Sequence, residues 1–207
     1  MRLKVLQRER IEGIPVATTC PHCGHNGTFT PVGMDNIIMK DTWCGQRVCP
    51  NPKCKGHLFI VLKNGELVFQ YPPVRVSFDP SDIPEDILHT FDEALTCHSQ
   101  SCYVSSAIMV RRTLEEICHA QKAEGENLRD KIKDLKSKIV LPLDLLEAMD
   151  ELRLLGNDAA HIEAKTYDQI SKDELDVALE FTIEILKALY QLSSLLGKLR
   201  GLKKGNT

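Results

Sequence analysis

With 207 residues, 43% hydrophobic and 27% charged, the chain has room for one large domain or two modest ones, and its makeup argues against wholesale disorder. The net charge of −3 hides an asymmetry: residues 1–70 carry 9 Lys/Arg against 5 Asp/Glu, whereas residues 71–207 carry 17 against 24. A basic front half permits a nucleic-acid partner without requiring one. No apolar run approaches the ~18 residues of a membrane span and none resembles a signal peptide, so a soluble, cytoplasmic protein without a membrane partner is expected.

From Pro15 to Tyr71 the chain reads as turns and short strands, punctuated by Gly24, Gly27, Gly33, Gly45, Gly56 and Gly65. The run Leu58–Leu62, then Lys63-Asn64-Gly65-Glu66, then Leu67–Tyr71 predicts a hairpin, because Asn-Gly supplies the positive φ angles of a tight turn between twisted strands. Residues 72–82 read as a linker. Pro84 and Glu85 after Ser81-Asp82 mark a helix start. Helical periodicity then predicts helices over 83–97, 100–120, 127–139, 142–161 and 171–200. The last opens on a capping box, Ser171-Lys-Asp-Glu174, and places Leu175, Leu179, Thr182, Leu186, Leu189, Leu196 and Leu199 on one stripe expected to be buried. The domain division expected is a small β ribbon over 1–71, the linker, a bundle over 83–200 and a flexible tail over 201–207. The fold class expected is mainly α: a bundle of four or five helices preceded by that small β ribbon, the module in which the candidate metal ligands are found.

Eight cysteines without a secretory signal favour metal ligation over disulfides, since five of them crowd between Cys20 and Cys54. Cys20-Pro-His-Cys23 and Cys49-Pro-Asn-Pro-Lys-Cys54 each offer a turn bearing two thiolates, half of a tetrahedral structural zinc site. The ligand set chosen is Cys20, Cys23, Cys49 and Cys54, with Zn(2+) as structural cofactor, which makes the small β module a zinc ribbon. Cys44 is either a substitute for Cys49 or a spare thiol, and His22, His25 and His57 could also ligate but are read as surface side chains near the site. Trp43, Phe29 and Phe59 are too scattered along the chain to suggest a base-stacking ladder.

In the fourth helix, Arg153, Asn157 and His161 recur at i, i+4 and i+8 and fall within about 80° of arc, a polar line along the helix. Gly156 costs about 1 kcal/mol against Ala inside a helix and signals close packing, a ligand or a break. Arg111–Cys118, Asn127–Ile132 and above all Leu152-Arg-Leu-Leu-Gly-Asn-Asp-Ala-Ala-His161 resemble the HEPN superfamily over about residues 82–197. The branch resembled is a domain of unknown function found alone, behind zinc ribbons or attached to restriction-enzyme subunits. The resemblance implies a helical bundle that forms a homodimer.

Many HEPN proteins are metal-independent RNases of prokaryotic defence or toxin systems. In their motif an Arg and a polar residue precede a His that stands four to six positions beyond the Arg. Carried over, His161 becomes the acid/base, Asn157 the polar residue and Arg153 the phosphate ligand, with Arg112 as a further anion-binding residue. Arg153 stands eight residues before His161, a longer spacing than that motif has. The resemblance supports two readings: an endoribonuclease acting on RNA, or a noncatalytic dimeric module that binds nucleic acid or protein. A partner effector encoded nearby is a third expectation.

Overall fold

The computed structural model describes residues 9–161, 163 and 170–202. The chain divides into two compact units, Met1–Ser77 and Phe78–Thr207. From residue 203 onward, the tail expected at 201–207 lies outside the described residues.

The first unit is a seven-stranded antiparallel sheet: β1 (Arg10–Ile11), β2 (Val16–Thr19), β3 (Asn26–Pro31), β4 (Asp35–Met39), β5 (Thr42–Val48), β6 (His57–Lys63) and β7 (Glu66–Tyr71). β5 organises it. One edge of β5 pairs with β6 along its whole length, Thr42 opposite Lys63 and Val48 opposite His57. The other edge is shared, β4 pairing beside Cys44 and β3 beside Val48. β2 extends the sheet beyond β3, and β7 extends it beyond β6 through a turn at Asn64 and Gly65, with φ of 53° and 85°.

This corrects the expected fold class. The first unit is a full sheet rather than a small ribbon, and the chain as a whole is not a mainly helical bundle. The strands are hard to read from sequence because their inward positions are not all apolar. On β5 the core face carries Trp43, Gly45 and Arg47, opposite Leu62, Ile60 and Leu58. Arg47 is fully buried and donates through both terminal nitrogens to Asp35 of β4, at 2.7 and 2.6 Å; its Nε donates to the Ile14 carbonyl at 2.9 Å. Gly45 makes room for that pair: a Cβ there would stand 1.8 Å from Asp35 Oδ1. The apolar core beside it is Val16, Phe29, Leu58, Ile60 and Leu62. Gln70 of β7 reaches Thr18 and Thr19 of β2, tying the two ends of the sheet around that core.

The second unit comprises α1 (Glu85–Ser99), α2 (Tyr103–Ala120), α3 (Leu128–Lys138), α4 (Leu143–Ala160), α5 (Lys172–Leu186) and α6 (Leu192–Gly201), the last two joined by a π-helical turn, Lys187–Gln191. α1 buries Ile87, Phe91, Ala94, Leu95 and His98, and α2 buries Ala107, Val110, Leu114 and Ile117, both at helical spacing. Small residues let the helices meet closely. Ser106 donates to the Ala94 carbonyl at 2.9 Å, and a Cβ on Gly156 of α4 would lie 2.4 Å from the Cβ of Arg111 on α2. Close helix packing therefore accounts for Gly156.

The expected stripe of the last helix ends at the π turn. Leu175, Leu179, Thr182 and Leu186 are buried, but Leu196 and Leu199 are 45% and 61% exposed. A π turn inserts a residue and rotates the helix beyond it by about 100°, so α6 aims its leucines elsewhere.

Candidate functional site

The hairpin of β2 and β3 and the hairpin of β5 and β6 end side by side, since β3 pairs with β5 at Thr30 and Val48. Each hairpin tip carries a cysteine pair. In the first tip, Cys20 N–H donates to the His25 carbonyl and Gly24 N–H to the Cys20 carbonyl, both at 2.9 Å. In the second, Cys49 N–H donates to the Gly56 carbonyl at 2.9 Å, while Cys54 N–H and Lys55 N–H share the Asn51 carbonyl at 3.0 and 3.1 Å. The four sulfur atoms lie within 4.8 Å of one another, and both close contacts cross between tips: Cys20 to Cys54 at 3.8 Å and Cys23 to Cys49 at 3.8 Å. Such a group can hold a metal ion.

Cys20 and Cys49 are buried against the core, Cys54 is half-buried and Cys23 is exposed. A backbone hydrogen bond from His25 holds the Cys23 thiol down at about 7, whereas burial pushes Cys49 up to about 12. Capture of a cation must therefore displace protons, most of all from Cys49. Cys44 stands apart: strand alternation sets it beside Val61, on the face of β5 away from the core, where burial and then Asp35 raise its thiol. His22 is engaged elsewhere, its Nε2 lying 2.9 Å from the His57 carbonyl and its ring over Gly56. Neither His25 nor His57 belongs to the sulfur group among the described residues.

In the second unit, α4 ends at Ala160. His161 comes next in extended conformation, φ −130° and ψ 116°, exposed, with its N–H donating to the Asn157 carbonyl at 3.1 Å. Helical periodicity thus carries Arg153 and Asn157 but stops short of the His161 side chain. Arg153 is mostly buried, and its Nε donates to Asp150 at 2.8 Å. Arg112 turns toward α1. It meets Glu116 at 3.3 Å, Glu116 accepts from Thr90 at 2.8 Å, and together they line a cleft of 380 Å³ with His89 and His119. The arginine that reaches α4 is Arg111, whose Nη1 donates to the Arg153 carbonyl at 3.2 Å.

The structure also assembles a feature that is dispersed in the sequence. On β6, His57, Phe59, Val61 and Lys63 share the face opposite to Leu58, Ile60 and Leu62; Val61 on that face is itself fully buried. Cross-strand register puts Tyr71 against Phe59 and Phe69 against Val61. Phe59, Phe69 and Tyr71 are 37%, 42% and 59% exposed, a row of aromatic side chains on a sheet face with Lys63 at its end. Only the register reveals it; Phe59 and Tyr71 are far apart along the chain.

A family model described as a domain of unknown function, DUF4145, matches residues 92–204. The chain belongs to this family. No curated protein and no solved structure matches the chain. The DUF4145 segment begins within α1 and runs past α6, so it contains Arg111, Arg112, Arg153, Asn157 and His161. The cysteine group and the aromatic row lie outside it. Among the described residues no helix is long and apolar enough to cross a membrane.

Proposed function

We propose that the chain is a nucleic-acid-binding protein of the cytoplasm, in which a zinc-braced sheet offers single-stranded nucleic acid a stacking surface and an HEPN-like helical unit carries it. The observation behind this reading is the aromatic row Phe59, Phe69 and Tyr71 beside Lys63. Bases stack on aromatic rings with little regard to sequence, and nearby cations follow the phosphates. The excess of Lys/Arg over residues 1–70 favours the same partner.

Zinc is the metal that the cysteine group suits best. A tetrahedron with Zn–S bonds of about 2.3 Å has edges of about 3.8 Å, and both close sulfur contacts are 3.8 Å. Four thiolates leave no open position, so the ion's role is structural, not catalytic.

The test is fluorescence anisotropy of labelled single-stranded RNA and DNA with the full, zinc-loaded chain. Phe69→Ala and Tyr71→Ala should each weaken binding by about 1–3 kcal/mol, and affinity should fall as salt rises. Absence of binding at low salt, or binding indifferent to both substitutions, would refute the proposal.

The endoribonuclease reading has narrower support. His161 is exposed at the end of α4, but Arg153 is paired with Asp150 and Arg112 with Glu116, so both arginines expected to bind phosphate are already engaged by carboxylates. Cleavage of end-labelled RNA in EDTA by the wild type and not by His161→Ala would restore it.

A further inference from the structure

The leucines of α6 recur at 192, 195, 196, 199 and 202, the spacing of a helix face made to be buried. They are 45–80% exposed. The polar side of the same helix is the side that meets its own unit: Gln191 donates to the Asp79 and Ser81 carbonyls at 2.6 and 3.1 Å, and Lys198 pairs with Asp82 at 3.0 Å. An amphipathic helix has thus been anchored by its polar side, with its apolar side presented outward.

A complementary surface lies elsewhere on this unit. α4 and α5 bound a groove of 750 Å³ whose apolar lining is Ala148, Leu152, Leu155, Val177, Ala178 and Phe181. Its other lining residues are all carboxylates, Asp144, Glu147, Glu151, Asp173 and Glu174. The sequence of the leucine helix and of the residues after it has the opposite charge: besides Lys198, which pairs with Asp82, positions 192–207 include Arg200, Lys203 and Lys204 and no Asp or Glu. Lengths agree as well. At 1.5 Å per residue, Leu192 to Leu202 spans about 15 Å and Asp144 to Leu155 about 16 Å.

α6 cannot fill the groove of its own chain. The backbone stays helical from α5 through Lys187–Gln191 into α6, so Leu192 lies about 16 Å beyond Phe181, past the far end of the groove. We infer that the occupant is α6 of a second copy of this chain, each copy's leucine row seated in the other's α4–α5 groove. A two-fold arrangement uses both seats at once and doubles the apolar area buried.

The experiment measures the mass of the full, metal-loaded chain by light scattering and sedimentation across a concentration series. The wild type should be a dimer. Leu195→Asp with Leu199→Asp, in α6, should weaken dimerisation roughly thirtyfold or more per anchor lost, as should Val177→Asp with Phe181→Asp, in the groove. These are solvent-facing positions, and circular dichroism checks that helix content is retained. Glu147→Lys with Asp173→Lys, a milder pair on the exposed rim, should weaken the dimer in the same direction.

Mixing is decisive. The α6 variant keeps an intact groove and the groove variant an intact α6, so the mixture should form a heterodimer through one seat. A monomeric wild type, with the leucine row covered within the chain or by another protein, overturns the inference. So does a dimer that survives both double variants, or a mixture that stays monomeric because leucine rows pair with each other.

Discussion

Asp35 and Arg47 are the residues whose removal should cost most in the first unit. Both are fully buried and face each other through two short hydrogen bonds, and Arg47 also holds the Ile14 carbonyl. Truncating one partner leaves the other charge buried and uncompensated, a loss of about 3–5 kcal/mol. Asp35→Ala should therefore destabilise the sheet by that amount, and Gly45→Ala should approach it by pushing a methyl into Asp35. Urea titration followed through Trp43, the chain's single tryptophan, on the same strand as Gly45 and Arg47, measures both. An unchanged midpoint in either variant would show that the ion pair is dispensable. The pair is invisible in sequence because an Asp and an Arg twelve positions apart look like solvent-facing charges. The cysteine turns, by contrast, are legible, since their spacing alone implies four converging thiolates.

Elements that rest on local rules are readable: the Asn64-Gly65 hairpin and the helices opened by Pro84, Asn127, Pro142 and Ser171 all stand where turn and cap chemistry puts them. The features that cannot be read depend on register or on tertiary choice. The aromatic row needs the β6–β7 pairing, and the exposure of α6 needs a π turn that no residue between Lys187 and Gln191 announces. Contacts between helices belong to the same class. Where α1 ends, buried His98 meets Asp176 of α5 at 2.7 Å, and Lys172 holds the same carboxylate. Burial opposes ionisation of Asp176, and the hydrogen bonds from Lys172 and His98 outweigh it, so its carboxyl lies below the ordinary value. A lowered pKa gives stability that is present above the unfolded value of about 4 and lost as pH falls through the folded one. The helical unit should thus weaken on acidification below about pH 4. Asp176→Asn should lower its melting temperature at neutral pH while flattening that dependence. An acid profile identical in the variant and the wild type would remove Asp176 from the account.

At the scale of the molecule, metal removal should affect the stability of one unit and not of the other. Cys20 and Cys49 are packed in the same cluster as Phe29, Leu58 and Ile60, so the ion would clamp both hairpin tips onto the core they close. A sheet unit this small has little apolar surface to bury, and metal affinity then becomes folding free energy. The helical unit has its own core of leucine, isoleucine and phenylalanine, and no Cys-based group among its described residues that could hold an ion. A strong chelator should therefore shift Trp43 emission to the red and speed amide exchange in β2 through β6, while the helical circular dichroism persists. Acidification should release the metal earlier than it melts the helices, because protons compete for the thiolates. Cys20→Ser should reproduce the chelated state. Cys44→Ser should retain one equivalent of metal, since Cys44 lies outside the sulfur group. A sheet that keeps its Trp43 emission after the metal is fully removed would mean that the Asp35–Arg47 pair and the apolar core suffice to hold it.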